Sequence, residues 1–184
     1  MSRLKTIDPN TATGKAAELL GTVKSSLGTV PNLTKVMANQ PAVLDMFLAM
    51  SGTLSKGAFD PRTREAIALT VAGANGCDYC ASAHSAISQS LKVDQAEIEH
   101  RLAGRSDDPK LQALLVFARK IVDKRGLVSD ADLAQVKTAG YDDSAITEVT
   151  ANVVANIFTN YINHVADTEI DFPVVRTGDL APAA

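Results

Sequence analysis

Two cysteines and a histidine at helical spacing are the residues of this chain best suited to chemistry. Cys77 and Cys80 are the two cysteines among its 184 residues, and His84 follows Cys80 by four positions. On a helix that advances about 100° per residue, the three side chains share one stripe. The two thiols can then close a disulfide across one turn, and the imidazole can exchange a proton with a thiol. The spacing predicts a redox-active dithiol beside a base.

The two thiols differ in what would activate them. Asn75-Gly76 breaks the chain just before Cys77. Cys77 is therefore expected at a helix N-terminus, where free N–H groups and the helix dipole favour the thiolate. His84 lies one turn from Cys80 and two turns from Cys77, which favours Cys80 as the thiol that a base deprotonates. The helix dipole and the histidine thus favour different thiols, and we follow the histidine.

A carboxylate is available to the thiols from the preceding helix. Glu65 lies twelve residues before Cys77, and a tight antiparallel return would bring its side chain near the dithiol. A buried carboxylate next to a histidine and a thiol can form a proton relay rather than a salt bridge. We therefore predict Cys80, Cys77, His84 and Glu65 as the catalytic residues.

Tyr79 and His164 are predicted as possible residues of the same pocket. Zinc binding by Cys77, Cys80, His84 and a fourth ligand such as His164 is an alternative, but structural zinc sites usually bring two well-spaced ligand pairs. The second pair is missing here. Inert core thiols are another alternative, because free cysteine is often buried. We expect neither a metal nor a cofactor.

The elements that position these residues are predicted to be helices, because no period-2 alternation bounded by hairpin signals occurs. Val30-Pro31-Asn32 is predicted as an extended connector, since the residue before proline avoids the helical region. Asp94 with Glu97 predicts a capping box. The predicted helices cover about 13–27, 41–54, 61–73, 77–91, 94–104, 109–126, 129–140 and 142–167, the last one buried on most sides.

Composition narrows the class of protein. Apolar residues make up 46% of the chain and charged residues 21%, which is typical of a globular protein. A net charge of −3 with no tryptophan gives little surface for nucleic acid, so we expect no such partner. No stretch of the sequence is long and apolar enough for a membrane span, and no basic segment followed by an apolar run is seen at its start. We therefore expect a cytoplasmic protein without membrane contact. We predict one domain over residues 1–170, with its redox motif at 60–92, and a C-terminal arm over 171–184.

The pattern Glu65-x11-Cys77-x-x-Cys80-x3-His84 resembles that of the alkylhydroperoxidase AhpD-like and carboxymuconolactone decarboxylase superfamily, in particular its small peroxidase-related members. The resemblance is carried by R-E-A-I-A-L-T-V-A-G-A-N-G-C-D-Y-C-A-S-A-H at 64–84. It extends to G-T-V-P-N-L at 28–33 and N-Y-I-N-H-V-A-D-T-E-I-D-F-P at 160–173, and so spans most of the chain.

This resemblance implies an all-α, AhpD-like helical bundle built from a two-helix core motif with additional helices. It implies homo-trimers or homo-hexamers and reduction of hydroperoxides, with Cys80 as the peroxidatic cysteine and Cys77 as the resolving one. Glu65 and His84 are implied to activate Cys80, and an external dithiol, such as a lipoyl-bearing protein, to reduce the disulfide. One departure is Tyr79, at a position where the founding peroxidases of the family carry a histidine, which implies a shorter relay.

We therefore predict a thiol-dependent peroxidase that reduces organic hydroperoxides or hydrogen peroxide through a dithiol/disulfide cycle. A decarboxylase-like enzyme acting on a lactone acid is the first alternative, although such chemistry needs no dithiol. A non-enzymatic, redox-responsive oligomer is the second.

Overall fold

Prolines and aspartate caps fix where the helices of this chain begin. Asp60 accepts hydrogen bonds from the N–H groups of Arg62 and Thr63 ahead of a helix that starts at Pro61. The computed structural model describes residues 2–179, and in that range the long elements are helices without strands. They are α1 (Gly14–Leu27), α2 (Asn32–Met37), α3 (Pro41–Leu54), α4 (Pro61–Asn75), α5 (Asp78–Ser90), α6 (Gln95–Leu102), α7 (Pro109–Asp123), α8 (Asp130–Thr138) and α9 (Asp143–Ala166), followed by a single 3-10 turn at Thr177–Asp179.

Helix α4 is the centre of the bundle. Every residue from Ala66 to Ala72 is buried, with 2% or less of each side chain exposed, and α4 packs against α5, α6, α7 and α9. A helix that is apolar on all sides must be enclosed by others. The approach to α6 is so close that a Cβ at Gly73 would overlap the carbonyl oxygen of Leu102.

Two apolar clusters lie on either side of this central helix. The first cluster includes Leu44, Leu69 and Leu102 and also contains both cysteines. The second is formed around Ile67 and Val71 of the same helix, with Leu114 and Val153 from α7 and α9. Since α4 contributes to both, the position of the dithiol is tied to the packing of the whole bundle.

The all-α class predicted from the sequence is confirmed, but two local predictions were wrong. Pro31 is extended, whereas Asn32 already begins the short helix α2, and the Pro31 carbonyl accepts the first hydrogen bonds of that helix, from the N–H groups of Thr34 and Lys35. Asp94 precedes α6 without capping it through its side chain, so the predicted capping box is absent. The Glu97 carboxylate instead accepts hydrogen bonds from Arg101 and Ser106.

The segment after α9 is docked, where the sequence predicts an arm or a poorly ordered tail. The Asp78 carboxylate, in the first turn of α5, accepts hydrogen bonds from the Thr177 N–H at 2.8 Å and from the Arg176 guanidinium at 2.9 Å. The Val175 N–H donates to Ser82 Oγ at 2.9 Å. The tail therefore lies along α5 as far as residue 179, and the predicted arm at 180–184 lies outside the described residues. Among the helices that the structure describes, none has the length and apolarity that crossing a membrane requires.

Candidate active site

A tight turn between α4 and α5 positions the dithiol. Gly76 ends α4 in the left-handed conformation, with φ of 66°, and the Cys77 N–H then donates to the Ala72 carbonyl at 2.9 Å. Cys77 is the N-cap of α5, and its sulfur accepts a hydrogen bond from the Cys80 N–H at 3.3 Å. The two cysteines are joined in a disulfide, with their Cα atoms 5.3 Å apart.

Glu65 and His84 form a hydrogen-bonded pair beside this disulfide. The Nδ1 atom of His84 lies 2.7 Å from Oε2 of Glu65, and 21% and 16% of the two side chains are exposed, respectively. Burial on its own lowers the pKa of His84, but the charge and the hydrogen bond of Glu65 outweigh it, so the pKa lies above the usual histidine value. Because Nδ1 is engaged by the carboxylate, Nε2 is the nitrogen left to exchange a proton.

A cavity of about 490 Å³ opens beside this pair. Cys80, His84, Glu65 and Tyr79 line it, whereas Cys77 does not. Cys77 and Cys80 are 1% and 3% exposed, so neither sulfur is open to bulk solvent. A small molecule in the cavity would therefore meet Cys80 first, with Cys77 behind it.

Asn163 of α9, which is not among the site residues predicted from the sequence, also contacts the dithiol. Its Nδ2 group donates a hydrogen bond to Cys80 Sγ at 3.3 Å, and the residue is 4% exposed. Three residues earlier, Asn160 accepts a hydrogen bond from Asn75 at 2.9 Å. The sequence does carry a signal for such a residue. Asparagines recur at spacings of three and four along a helix whose other residues are mostly apolar, and buried amides need hydrogen-bond partners. The row is Asn152, Asn156, Asn160 and Asn163.

Tyr79 lines the cavity, but its hydroxyl is engaged in the fold. It donates to Asp171 Oδ1 at 2.9 Å and accepts from the Leu33 N–H at 3.1 Å. Burial, reinforced by the Asp171 carboxylate, raises the pKa of Tyr79 far above the usual range. Tyr79 therefore holds the tail and α2 together, and its proton is not available to a substrate.

His164 lies outside the lining of this cavity, so the structure does not bring it together with the other predicted site residues. It is exposed on α9 and its ring stacks on Tyr161, with the ring centroids 6.4 Å apart. The reason is rotational, since His164 follows Asn163 by one residue and points about 100° away from it. His164 is therefore not placed with Cys77, Cys80 and His84 as the fourth ligand that the zinc alternative names.

The helices that surround this site form an all-α fold like that of known AhpD-like proteins. Residues 41–123 match the carboxymuconolactone decarboxylase family. A peroxidase-related protein from Ralstonia eutropha, described as an alkylhydroperoxidase AhpD core, has a similar structure, with a TM-score of 0.83, 22% identity and 92% coverage of each chain. The family match therefore covers residues 41–123 of the 184, and the likeness to the solved structure shows the AhpD-like fold.

Two further solved structures share the fold. A peroxidase-related protein from a Silicibacter species has a TM-score of 0.78 and 24% identity, over 92% of this chain and 94% of the other. The debrominase Bmp8 in complex with 2,3,4-tribromopyrrole has a TM-score of 0.77 and 20% identity, over 91% of each chain. No curated protein matches the sequence.

Proposed function

We propose that the protein is a thiol-dependent peroxidase in which Cys80 attacks a hydroperoxide and Cys77 resolves the product. The observation that carries this proposal is the shared cavity, which Cys80, His84 and Glu65 line together while Cys77 lies behind them within disulfide distance. The same observation favours Cys80 over Cys77 as the attacking thiol, because a substrate meets it first.

The first step needs a thiolate and a proton donor. In the reduced protein, His84 accepts the Cys80 proton at Nε2, and Glu65 supports the positive imidazole at Nδ1. The Asn163 amide donates to the same sulfur and stabilises its negative charge. The thiolate attacks the terminal peroxide oxygen, so an S–O bond forms as the O–O bond breaks. The departing alkoxide takes the proton from His84 and leaves as alcohol, and Cys80 becomes a sulfenic acid.

The second step returns the chain to the disulfide form. The Cys77 thiolate attacks the Cys80 sulfur, the S–S bond forms, and the hydroxide that leaves takes up a proton to give water. Cys77 lies at the N-terminus of α5, where the helix dipole favours its thiolate. An external dithiol must then supply two electrons and two protons, and a lipoyl-bearing protein is the reductant that we propose.

A second candidate reaction uses the same groups on a halogen. The debrominase Bmp8 shares the fold, and the cavity here has a largely apolar lining that would accept a halogenated ring. The Cys80 thiolate would attack the halogen, the ring carbon would take a proton from His84, and Cys77 would displace halide to form the disulfide. Both reactions consume one dithiol per turnover, so only the substrate distinguishes them.

Stopped-flow reaction of the reduced protein with cumene hydroperoxide tests the proposal. We expect two thiols to be lost per chain, and Cys80→Ser to abolish the reaction. His84→Ala should slow it by about 10²-fold or more, whereas His100→Ala, a histidine on α6 outside the cavity lining, serves as the matched control and should react normally.

Other outcomes point to the alternatives. Equal rates for His84→Ala and His100→Ala would contradict the proposed relay. Turnover of a lactone acid after both cysteines are replaced by serine would indicate a decarboxylase-like enzyme. Reversible disulfide formation without peroxide or bromopyrrole turnover would indicate a redox-responsive protein.

Assembly into homo-trimers or homo-hexamers and a cytoplasmic location are part of the proposal. Analytical ultracentrifugation tests the oligomeric state.

A further inference from the structure

The cavity beside Cys80 is far larger than hydrogen peroxide requires. Its volume of about 490 Å³ falls in the range of about 300–1,000 Å³ typical of sites for organic ligands, whereas a water-sized molecule takes up roughly 30 Å³. Most of the wall is apolar and comes from α1, α3, α5 and the tail. The apolar residues that form it include Leu27, Phe47, Met50, Leu54, Ile87 and Phe172.

One cation faces this apolar space. Arg64 is the only arginine or lysine among the cavity residues that the structure describes. Its Nη1 group donates to the Phe59 carbonyl at 2.5 Å, and none of the ion pairs found within residues 2–179 involves it. A guanidinium has five N–H donors, so most of them remain for a ligand.

The position of Arg64 on α4 separates it from the proton relay. Arg64 and Glu65 are consecutive and therefore point about 100° apart around the helix. Glu65 is already paired with His84, so an anion at Arg64 would neither compete for the imidazole nor have to displace the carboxylate. The polar side chains of Asn152 and Asn156 line the same cavity and can accept or donate further hydrogen bonds.

We propose that Arg64 is a carboxylate-binding residue, and that the substrates of the site are hydroperoxides of apolar organic acids. This inference rests on the proposed function, since it names the substrate of the same site. The guanidinium holds the carboxylate, the apolar wall holds the hydrocarbon body, and the peroxide group is left to meet Cys80. The reaction is the one already described: the S–O bond forms, the O–O bond breaks, and the hydroxy acid leaves after taking the proton from His84.

Binding without turnover tests the carboxylate site. Isothermal titration of the oxidised wild-type protein with octanoate and with octan-1-ol compares two probes that differ mainly in the charged group. We expect octanoate to bind at least about tenfold more tightly, because charge-assisted hydrogen bonds to a guanidinium are strong. Equal affinities for the two probes would overturn the inference, and this comparison needs no variant to fold.

Arg62 offers a matched control for Arg64. It lies two residues earlier on α4, is exposed, and also donates to a backbone carbonyl, that of Leu91 at 3.0 Å, but it does not line the cavity. We expect Arg64→Gln to remove the preference for octanoate and Arg62→Gln to keep it. Equal loss in the two variants would overturn the assignment of Arg64.

Kinetics connect the carboxylate site to the reaction. The reduced wild-type protein should show a kcat/KM for the hydroperoxide of linoleic acid at least about tenfold above that for its methyl ester, and Arg64→Gln should bring this ratio near one. If cumene hydroperoxide is consumed but acid and ester react equally, the inference fails and the proposed function stands. If octanoate binds through Arg64 and no hydroperoxide reacts, the proposed function fails and takes the hydroperoxide substrate with it, while the carboxylate site at Arg64 stands.

Discussion

At the scale of single residues, the proton of His84 depends on its carboxylate neighbour. The imidazole is largely buried, which disfavours the charged form, yet the Glu65 oxygen 2.7 Å from Nδ1 reverses that effect and keeps the pKa above the usual histidine value. A histidine in this state is charged over a wider pH range. When neutral it is also a stronger base toward the Cys80 thiol at Nε2, and the charged imidazole that results can return the proton to a departing alkoxide.

Replacing Glu65 by glutamine should lower the pKa of His84. The change removes the negative charge and leaves the desolvation, so the imidazole should lose its proton at a lower pH than in the wild-type protein. The chain has three histidines, so NMR titration of their ring protons between about pH 5 and about pH 9 resolves each one. His100 and His164 lie away from Glu65 and serve as internal controls for the substitution. An unchanged His84 curve would show that the pair does not set its charge.

Asn163 should control how readily Cys80 ionises. Its amide donates to the Cys80 sulfur of the disulfide, and we expect the same hydrogen bond in the reduced protein. A hydrogen bond to the charged form of a group lowers its pKa. In a Cys77→Ser background we expect Asn163→Ala to raise the pKa of Cys80 and to reduce its thiolate fraction at neutral pH by roughly tenfold. The pH dependence of alkylation by iodoacetamide measures this change.

Asn160→Ala is the control for that experiment. Asn160 is buried on the same helix, but its side chain contacts Asn75 rather than the sulfur. The Asn160→Ala substitution should disturb packing about as much as Asn163→Ala does, without changing the pH dependence of Cys80 alkylation. Matching shifts in the two variants would assign the effect to packing and not to the hydrogen bond.

At the scale of elements, the close contact between α4 and α6 depends on one glycine. A Cβ at Gly73 would meet the backbone carbonyl of Leu102, which cannot move aside as a flexible side chain would. We expect Gly73→Ala to reduce the free energy of unfolding by about 1–3 kcal/mol. Gly21, in α1, has open space around the same position, so Gly21→Ala should instead stabilise the protein by about 0.5–1 kcal/mol. Urea unfolding of both variants measures the contrast, and equal effects would contradict it.

The helices themselves could largely be predicted from the sequence, because their signals are local. Asp60-Pro61 and Asp108-Pro109 combine a cap with a proline that has no N–H to lose, and both pairs begin helices in the structure. The short helix α2 lacks such a local signal, because its first N–H groups, those of Asn32 and Leu33, donate to the distant side chains of Asp171 and Tyr79. The docking of the tail on Asp78 is a contact between residues almost a hundred positions apart, which no local pattern encodes.

The site was predictable in part for the same reason. Cys80 and His84 lie on one stripe of one helix, so their proximity follows from spacing. The contact of Glu65 with His84 depends on how α4 and α5 pack, and the contact of Asn163 with Cys80 on how α9 packs against both. Neither distance is contained in the sequence pattern. His164 illustrates the limit, because a rotation of one residue along α9 separates a cavity side chain from an exposed one.

At the scale of the whole molecule, the redox cycle should leave the fold intact. The disulfide joins residues only three positions apart, so by chain entropy it stabilises the protein by about 2 kcal/mol, far less than a bridge across a long loop. The bundle around α4 does not depend on it, because the two apolar clusters are built mainly from residues outside the C-x-x-C turn.

Reduction with a dithiol should therefore lower the melting temperature by only about 4–8 °C, the shift that about 2 kcal/mol produces in a domain of this size. Unfolding of the reduced protein should stay cooperative. A thiol reagent should find two thiols per chain after reduction and none before it. Cys77→Ser should melt near the reduced wild-type protein, since it also lacks the bridge. Differential scanning calorimetry of the three forms measures these shifts. Loss of a cooperative transition on reduction would instead mean that the disulfide holds the bundle together, which an enzyme that opens this bond at every turnover could not tolerate.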